Sequence, residues 1–378
     1  MKTLGALLFA SAFVWADIPV ESKISLTSGY RQGKFDTNRA LAVLTARPVF
    51  GTVETTAQVW GWYNASFENY GTREYDVSLR TLKAQYWGEN WGVSAGLQEI
   101  HWGETFGFQP LDVLNNRNFR DFPFLDHGLN RIPAPILQMV YASESWKVEG
   151  VFNPRPEYPI LPRTVRGFKV VEAPDAEWFK DPEFGLRLSA LAGRGNASVY
   201  YFRGINRIPV LMPDITVVAL RPIFKMVNNV GASFSYATDE WVWRGDLLAA
   251  LEHPVVGPQP KTAFGAVVGA DWSPQAIEGF TVGIQFQADG YPLAGDARST
   301  GGSLVARKSL WDNKIQLEAQ AYRSFRYQDY WVRAQADLGL GQGWQLQVLA
   351  ETSGADPASP LALMPQGPRL AATGSYSF

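Results

Sequence analysis

The sequence predicts an all-β fold: a transmembrane, antiparallel, up-and-down β-barrel of about 18 strands, with 16 strands as the alternative. Segments of about ten residues alternate apolar and polar side chains, as required of strands that face lipid on one side and water on the other. After residue 16 no apolar run reaches the roughly 18 residues of a transmembrane helix. The 14 Trp, 15 Tyr and 22 Phe suit aromatic girdles at two membrane interfaces.

The first element is a candidate signal peptide over residues 1–16. Lys2 supplies a positive n-region, and the apolar run that ends at Trp15 supplies the h-region. Val14 and Ala16 stand at positions −3 and −1 of a cleavage site before Asp17. A membrane anchor is the alternative, but the run is shorter than the ~20 residues that a spanning helix needs. We therefore expect an exported chain with one barrel domain over residues 17–378.

The strands follow one another with no linker and no internal repeat between them. Residues 205–227 and the first pair of strands are the hardest to assign, which leaves 16 strands open, and Val217 to Leu220 suggests a hairpin within a loop. The predicted strands are 23–31, 38–47, 51–63, 72–87, 91–100, 136–143, 146–153, 183–191, 196–204, 228–237, 241–251, 263–272, 279–288, 302–310, 314–324, 329–339, 343–353 and 368–378.

Alternation within the strands predicts which side chains face lipid. A soluble sandwich would also bury one face, but it would rarely bring so many Ala and Gly residues onto that face while keeping aromatic residues at the strand ends. In a barrel the apolar face meets lipid and the charged face lines water. Leu317, Val332 and Val348 are predicted to face lipid, and Gln316, Arg333 and Gln347 to face the lumen.

The last strand carries a recognisable pattern. Residues 369–378 alternate apolar with small or polar residues and end in Tyr376-Ser377-Phe378. This segment resembles the closing strand of bacterial outer-membrane β-barrels. The resemblance implies that the barrel-assembly machinery reads the strand through Phe378, and that the protein resides in the bacterial outer membrane with the lipid and lipopolysaccharide of that membrane as partners.

Composition excludes several classes of function. The 34 Lys and Arg nearly balance the 36 Asp and Glu, so no basic stripe for a nucleic acid is predicted. The chain has no Cys, and no His set has the spacing of metal ligands. His101 lies near Glu99 and Glu104, but a loop histidine with one hydrogen bond is the favoured interpretation. We therefore predict no enzyme: no catalytic residue, no metal and no cofactor.

The longest irregular stretch, residues 101–135, joins the fifth and sixth predicted strands and is the third loop on its side of the barrel. Its aromatic residues would be unfavourable in water, so we expect it to fold into the lumen, pinned by Trp102, Phe106 and Phe119. Its charged residues could then set a transverse field at a pore constriction. A salt-bridged loop that only braces the wall is the alternative. The candidate constriction residues are Glu104, Asp112, Arg117, Arg120, Asp121, Asp126 and Arg131.

A second resemblance rests on this loop. The run Gly96-Leu97-Gln98-Glu99-Ile100-His101-Trp102-Gly103-Glu104, followed by Asp112-Val113-Leu114-Asn115, is similar to a segment of poorly characterised porin-like barrels of Gram-negative bacteria. General porins also fold their third loop inward. The resemblance implies a passive or substrate-selective channel.

Three functions stay open at this point. The first is passive diffusion of small hydrophilic solutes, and the second is selective transport of an anionic saccharide or an aromatic acid. The third is a structural, oligomeric barrel, a trimer or a ring, with a closed lumen and a proline-rich latch at residues 154–182. Mixed charge in the lumen predicts weak ion selectivity. The predicted lumen-lining residues are Arg187, Arg203, Arg244, Asp246, Lys314, Glu318, Arg333, Asp337 and Glu351.

Overall fold

The computed structural model describes residues 19–66, 74–119, 130–165, 167–255, 259–290, 298–356, 359 and 366–378. The predicted signal peptide lies outside these ranges. All regular structure in the described residues is β, and no helix among them is long and apolar enough to cross a membrane.

The described chain contains 23 strands, β1 to β23. In chain order they are Val20–Arg31, Lys34–Ala46, Val49–Phe50, Val53–Asn64, Tyr75–Trp87, Trp91–Gln98, Ala134–Ala142, Trp146–Asn153, Thr164–Val165, Phe168–Val170, Glu183–Ala192, Gly195–Ile205, Val210–Asp214, Ala219–Ile223, Met226–Ala237, Trp241–His253, Lys261–Trp272, Phe280–Gly290, Arg298–Leu310, Ile315–Ser324, Tyr330–Gly341, Trp344–Gly354 and Arg369–Ser377. The short strands β3, β9, β10, β13 and β14 are additions to the barrel wall, which the other strands form.

The wall is a closed antiparallel sheet of 18 strands, and each strand pairs with the next one along the chain. The first and last strands close it, with β1 running antiparallel to β23 from Lys23↔Ser377 to Arg31↔Arg369. The backbone N–H of Phe378 extends the ladder by donating to the Ser22 carbonyl at 3.0 Å. The predicted 18-strand barrel is confirmed, and the alternative of 16 strands is wrong.

Both termini of the barrel lie at one end, with the short turns. We call this the short-turn end and the opposite end the long-loop end. At the long-loop end, residues 99–133 connect β6 to β7; this segment is called L3 below. A separate four-stranded sheet of β9, β10, β13 and β14 belongs to the next two long connections. The hairpin predicted at Val217–Leu220 is present, but its strands are β13 and β14, so Val217 and Val218 lie in its turn.

The predicted face assignments agree with the structure. Leu317, Val332 and Val348 are 40%, 45% and 44% exposed on the outer surface. The residues predicted to face inward line a cavity within the barrel; they are Gln316, Arg333 and Gln347. Tryptophan side chains are exposed on the outer surface beside the short turns, as an interfacial girdle requires. Among these are Trp87, Trp91, Trp146, Trp241 and Trp344.

A ring of four charged residues spans the closing seam. Arg31 and Arg369 are direct partners across it, a repulsive placement for two like charges. Asp36 accepts from both arginines, at 3.1 Å from Arg31 and 3.0 Å from Arg369. Glu351 does the same, at 3.1 Å and 3.2 Å. Gly29 makes room for this seam ring, since a Cβ there would lie 2.6 Å from the Arg369 Nη2.

Candidate functional site

The described part of L3 lies inside the barrel against one part of the wall. The indole of Trp102 is almost fully buried and packs on Tyr200 and Phe202 of β12, with ring centroids 5.4 and 6.4 Å away. Its Nε1 donates to the Glu149 carboxylate on β8 at 2.8 Å. We call the inward faces of β8, β11, β12 and β15–β18, against which most of residues 102–111 of L3 pack, the covered wall. The remaining inward faces form the open wall.

Glycines on the covered wall make room for the loop. A Cβ at Gly185 would lie 2.8 Å from Trp102, and one at Gly283 would lie 2.9 Å from Phe106. Gly265 faces Pro110 in the same way, with a Cβ distance of 2.8 Å, and Gly231 faces Leu111. Each of these strands therefore presents bare backbone where a loop side chain packs. Glycines at inward strand positions are a sequence signal for this docking surface that strand alternation alone does not reveal.

One carboxylate anchors Glu104 and Thr105 of L3. Asp246 on β16 accepts from the backbone N–H of Glu104 at 2.9 Å and that of Thr105 at 3.1 Å. It also accepts from the Thr105 hydroxyl at 2.5 Å. Farther along L3, the Arg207 guanidinium donates to the carbonyls of Val113 and Leu114 at 2.5 and 2.8 Å. L3 is therefore fixed both by the covered wall and by the connection that follows β12.

The described charges of the predicted constriction pair with one another or with the wall. The Asp112 carboxylate is buried and accepts from Arg117 at 2.7 Å and from Arg131 at 3.0 Å. Burial alone would raise the pKa of Asp112, but these guanidinium groups outweigh it and hold the pKa below its usual value. Glu104 pairs with Arg187 at 3.2 Å. The four predicted constriction residues among these, Glu104, Asp112, Arg117 and Arg131, match the alternative interpretation, a loop braced by salt bridges.

Some predictions for L3 fall beyond the described chain. Arg120, Asp121 and Asp126 lie outside the described residues. Phe119 is the last described residue before them, and its backbone N–H donates to the Ile160 carbonyl at 2.8 Å. L3 is thus joined at this point to the following long connection, residues 154–182, which the sequence predicts as a latch or cover.

The predicted lumen residues divide between the two walls. On the covered wall Arg187, Arg244 and Asp246 are engaged, Arg244 by Asp271 of the neighbouring strand. Glu318 pairs with Arg307 at 2.7 Å, and Glu351 belongs to the seam ring. Lys314, Arg333 and Asp337 line the open part of the lumen.

Arg203 is placed differently from its prediction. Tyr200 and Phe202 take the inward positions of β12 around Trp102, so alternation turns Arg203 to the outer face. It lies at the long-loop end of the strand, 3.5 Å from the Asn228 side-chain oxygen, to which the Tyr201 hydroxyl also donates. The prediction failed because a long basic side chain near a membrane interface can reach water from the lipid-facing side.

Two cavities lie along the open wall. The larger, of about 1000 Å³, extends toward the short-turn end, and the smaller, of about 480 Å³, lies at the long-loop end. Arg39, Leu41 and Trp60 line both. The two cavities therefore adjoin at these residues, beside the described part of L3.

The lining of the larger cavity is strongly basic. It contains the carboxylates of Glu99 and Asp337. Its basic side chains come from seven residues: Lys23, Arg39, Arg47, Lys83, Lys314, Arg333 and Arg369. Sequence analysis found only Lys314 and Arg333 of these, and it expected balanced charge. The difference arises because acidic side chains elsewhere in the lumen are neutralised by neighbouring arginines, which no count of charges reveals.

A compact cluster stands where the cavities meet. The Arg80 guanidinium lies 4.6 Å from the ring centre of Trp60 and donates to the Glu99 carboxylate at 2.5 Å. Glu99 belongs to L3. Burial raises its pKa above the usual value, and the charges of Arg80 and Arg131 only partly oppose that effect.

No family model matches this chain, and no curated protein matches it either. Solved structures do. OccK3 (OpdO) of Pseudomonas aeruginosa superposes with a TM-score of 0.61 at 10% identity, over 96% of each chain. OccAB4 of Acinetobacter baumannii gives a TM-score of 0.58 at 10% identity, over 95% of this chain and 98% of that one. OmpF of Salmonella typhi, in a complex with daunomycin, gives 0.52 at 10% identity, over 96% and 97%. At such identities these likenesses establish the fold.

Proposed function

From a barrel with the fold of bacterial outer-membrane porins, we propose a channel that lets small hydrophilic solutes diffuse across the outer membrane and favours anions. The observation that carries this proposal is the basic lining of the larger cavity, with seven basic residues and two acidic ones. Two of the seven are paired with carboxylates, Arg47 with Glu21 and Arg369 with Asp36 and Glu351, and the other five still outnumber the acidic residues. Fixed charges in a narrow, weakly screened pore attract ions of opposite sign and repel ions of the same sign. Such a lining concentrates anions.

The pairing of these charges strengthens the argument. Within the described residues, Lys23, Lys83 and Lys314 form no ion pair. Asp337 accepts from the side-chain amides of Gln335 and Gln347 at 2.6 and 2.8 Å, so it keeps its negative charge and offsets one of these three lysines. The lysine charges act on the lumen uncompensated by a direct carboxylate partner.

The two adjoining cavities favour a channel over the structural alternative. A barrel with a closed lumen would need its interior blocked from wall to wall at one level at least. The described part of L3 instead packs on the covered wall and leaves the cavities of about 1000 and 480 Å³ beside the open wall. L3 narrows the lumen by occupying one side of it, and its many anchors favour a pore of constant width. The proposal assigns no catalytic role to any residue.

The partners follow from the same proposal. We expect the exposed apolar belt to meet lipid and lipopolysaccharide, and the strand ending at Phe378 to be read by the assembly machinery. Export through the signal peptide at residues 1–16 and assembly into a homo-oligomer, a trimer or a ring, stay predictions. The similarity of the Gly96–Glu104 run to one group of porin-like barrels is likewise a prediction.

Planar-bilayer recordings of the purified protein test this function. We expect discrete conductance steps and, under a KCl gradient, a reversal potential of the sign that chloride preference produces. A folded barrel that gives no conductance would move the structural function ahead. A conducting barrel that prefers potassium would overturn the anion preference while leaving the channel in place.

A further inference from the structure

The smaller cavity holds an unusual combination of aromatic, basic and acidic side chains. Trp60 and Trp62 occupy alternate positions of β4 and therefore face the same side of the wall, about 7 Å apart along the strand. Four arginines and two carboxylates share the lining with them. These are Arg39, Arg80, Arg131, Arg155, Asp76 and Glu157. A volume of about 480 Å³ falls in the usual range of small-molecule sites.

Three of the four arginines are held by carboxylates. Arg80 pairs with Glu99 at 2.5 Å, Arg131 with Asp112 at 3.0 Å, and Arg155 with Glu157. Arg39 differs, because it forms no ion pair with any residue of the described chain. It lines both cavities, so any solute that passes from one to the other meets it. It is a cationic contact available to a passing anion.

The tryptophans supply a surface for a ring. One face of Trp60 already carries the Arg80 guanidinium, and that stacking fixes the orientation of the indole. Across the ladder from Trp60 stands Ser78. The Trp60 Nε1 and the Ser78 hydroxyl oxygen are both buried and make no hydrogen bond with the described protein atoms. Beside them Trp62 lines the cavity directly.

The acidic and amide groups distinguish between two kinds of ring-bearing anion. An aromatic acid without ring hydroxyls, such as benzoate, has no donor to offer to carboxylates. Asp76 would only repel it, and Glu157, which is paired with Arg155, would give it no favourable contact. The hydroxyl groups of a sugar donate to carboxylate and amide oxygens, and such oxygens line this cavity on Asp76, Asn118 and Glu157. The carboxylate of a sugar acid would meet Arg39.

We propose that this cavity is a binding subsite for an acidic monosaccharide, a pyranose ring that bears one carboxylate. Arg39 receives the sugar carboxylate, Trp62 packs against the ring face, and the carboxylates of Asp76 and Glu157 accept hydroxyl groups. The inference rests on the proposed anion channel and deepens it, since it converts a general preference for anions into a preference for one kind.

Substrate block of the chloride current tests the proposal, with glucuronate, glucose and benzoate as probes. We expect glucuronate to reduce the current saturably. The concentration of glucuronate that gives half-maximal block should be about tenfold lower than that of glucose. Equal block by glucose would overturn the role of Arg39. Stronger block by benzoate than by glucuronate would overturn the assignment to a sugar.

Variants of the wall locate the effect. Trp62→Ala should weaken glucuronate block about tenfold, whereas Trp91→Ala, a tryptophan exposed on the outer surface, should not weaken it. Arg39→Gln should remove the block, while Lys314→Gln, in the larger cavity only, should lower anion preference and keep the block. An anion-selective barrel with no saturable glucuronate block would overturn the subsite and leave the proposed channel standing. A barrel without conductance would overturn the channel itself.

Discussion

The covered and open walls of this barrel use charge in opposite ways. On the covered wall, Arg187 meets Glu104 of the loop and Arg244 meets Asp271 of the neighbouring strand. On the open wall, Lys83 and Lys314 face the larger cavity without an ion pair in the described chain. Lumen charge in a porin-type barrel is thus set by which residues pair, and composition alone does not reveal it.

Glycine usage differs between the walls as well. Gly185, Gly231, Gly265 and Gly283 expose backbone on the covered wall exactly where L3 side chains pack. The open wall presents polar and basic side chains at its inward positions instead. A loop that folds inward therefore needs a prepared surface, and the bare positions identify which part of the wall it contacts.

The largest expected loss of stability concerns the seam ring. There two arginines of the open wall are neutralised by carboxylates. Glu351→Gln leaves Arg31 and Arg369 opposed with one carboxylate between them, and loss of a partner in a buried ion network costs about 3–5 kcal/mol. The urea midpoint of the folded barrel in detergent should fall accordingly. Glu318→Gln breaks the half-exposed pair with Arg307 and should cost no more than about 1 kcal/mol. Equal midpoints for the two variants would contradict this.

The next effect tests which face of the open wall meets lipid. Val332→Arg places a charge on the outer surface and should destabilise the barrel in lipid by about 2–4 kcal/mol if it lies near the midplane. Gln347→Arg adds the same charge to the lumen side and should cost far less, because water surrounds it there. Folding yields in vesicles of matched thickness measure the difference. If the two variants fold equally well, the assigned faces are wrong.

A smaller effect is expected at the anchor of L3. Asp246→Ala removes the acceptor of two backbone N–H groups and the Thr105 hydroxyl, and buried groups left without a partner cost about 1–3 kcal/mol. We expect the freed loop to add current levels to single-channel recordings. Asp337→Ala on the open wall serves as the control and should leave one level, because among the described residues Asp337 accepts only from Gln335 and Gln347. If Asp246→Ala also shows a single current level, other contacts suffice to hold L3.

The smallest effect comes from pH. Burial raises the pKa of Glu99, so mild acid neutralises this carboxylate before those with ordinary values, and the junction of the cavities loses a negative charge. Anion preference should therefore increase as the pH falls. Glu99→Gln should show part of this increase already at neutral pH, and the response that remains should include Glu157, whose pKa burial also raises. Asp112 stays ionised to lower pH because Arg117 and Arg131 hold its pKa down. If the pH response of Glu99→Gln equals that of the wild type, the response comes from another group.

Period-two alternation was sufficient to predict the wall, because each strand has one lipid face and one water face. It placed Leu317, Val332 and Val348 correctly. It failed at Arg203, where the strand end lies within reach of water on either side. The aromatic content of L3 predicted its inward position, and Trp102 and Phe106 contact the wall as expected.

The pairing of charges could not be predicted in the same way. Asp112, Arg117 and Arg131 lie close in sequence, and their mutual ion pairs depend on how the loop turns. The basic lining depends on strands far apart in sequence, since Lys23 and Lys314 face one cavity only after β1 and β23 close the barrel. Arg39 and Trp60 lie on the neighbouring strands β2 and β4, but Arg131, Arg155 and Glu157 join them only because the long connections fold back over this part of the wall.

The reversal potential under a KCl gradient tests the contrast between the walls most directly. Three barrels are compared: the wild type, an open-wall variant with Lys83→Gln and Lys314→Gln, and a covered-wall variant with Arg244→Gln and Asp271→Asn. We predict chloride preference in the wild type, a clear loss of it in the open-wall variant, and little change in the covered-wall variant, because the latter removes one charge of each sign from a direct pair. Equal shifts in both variants, or potassium preference in the wild type, would contradict the account.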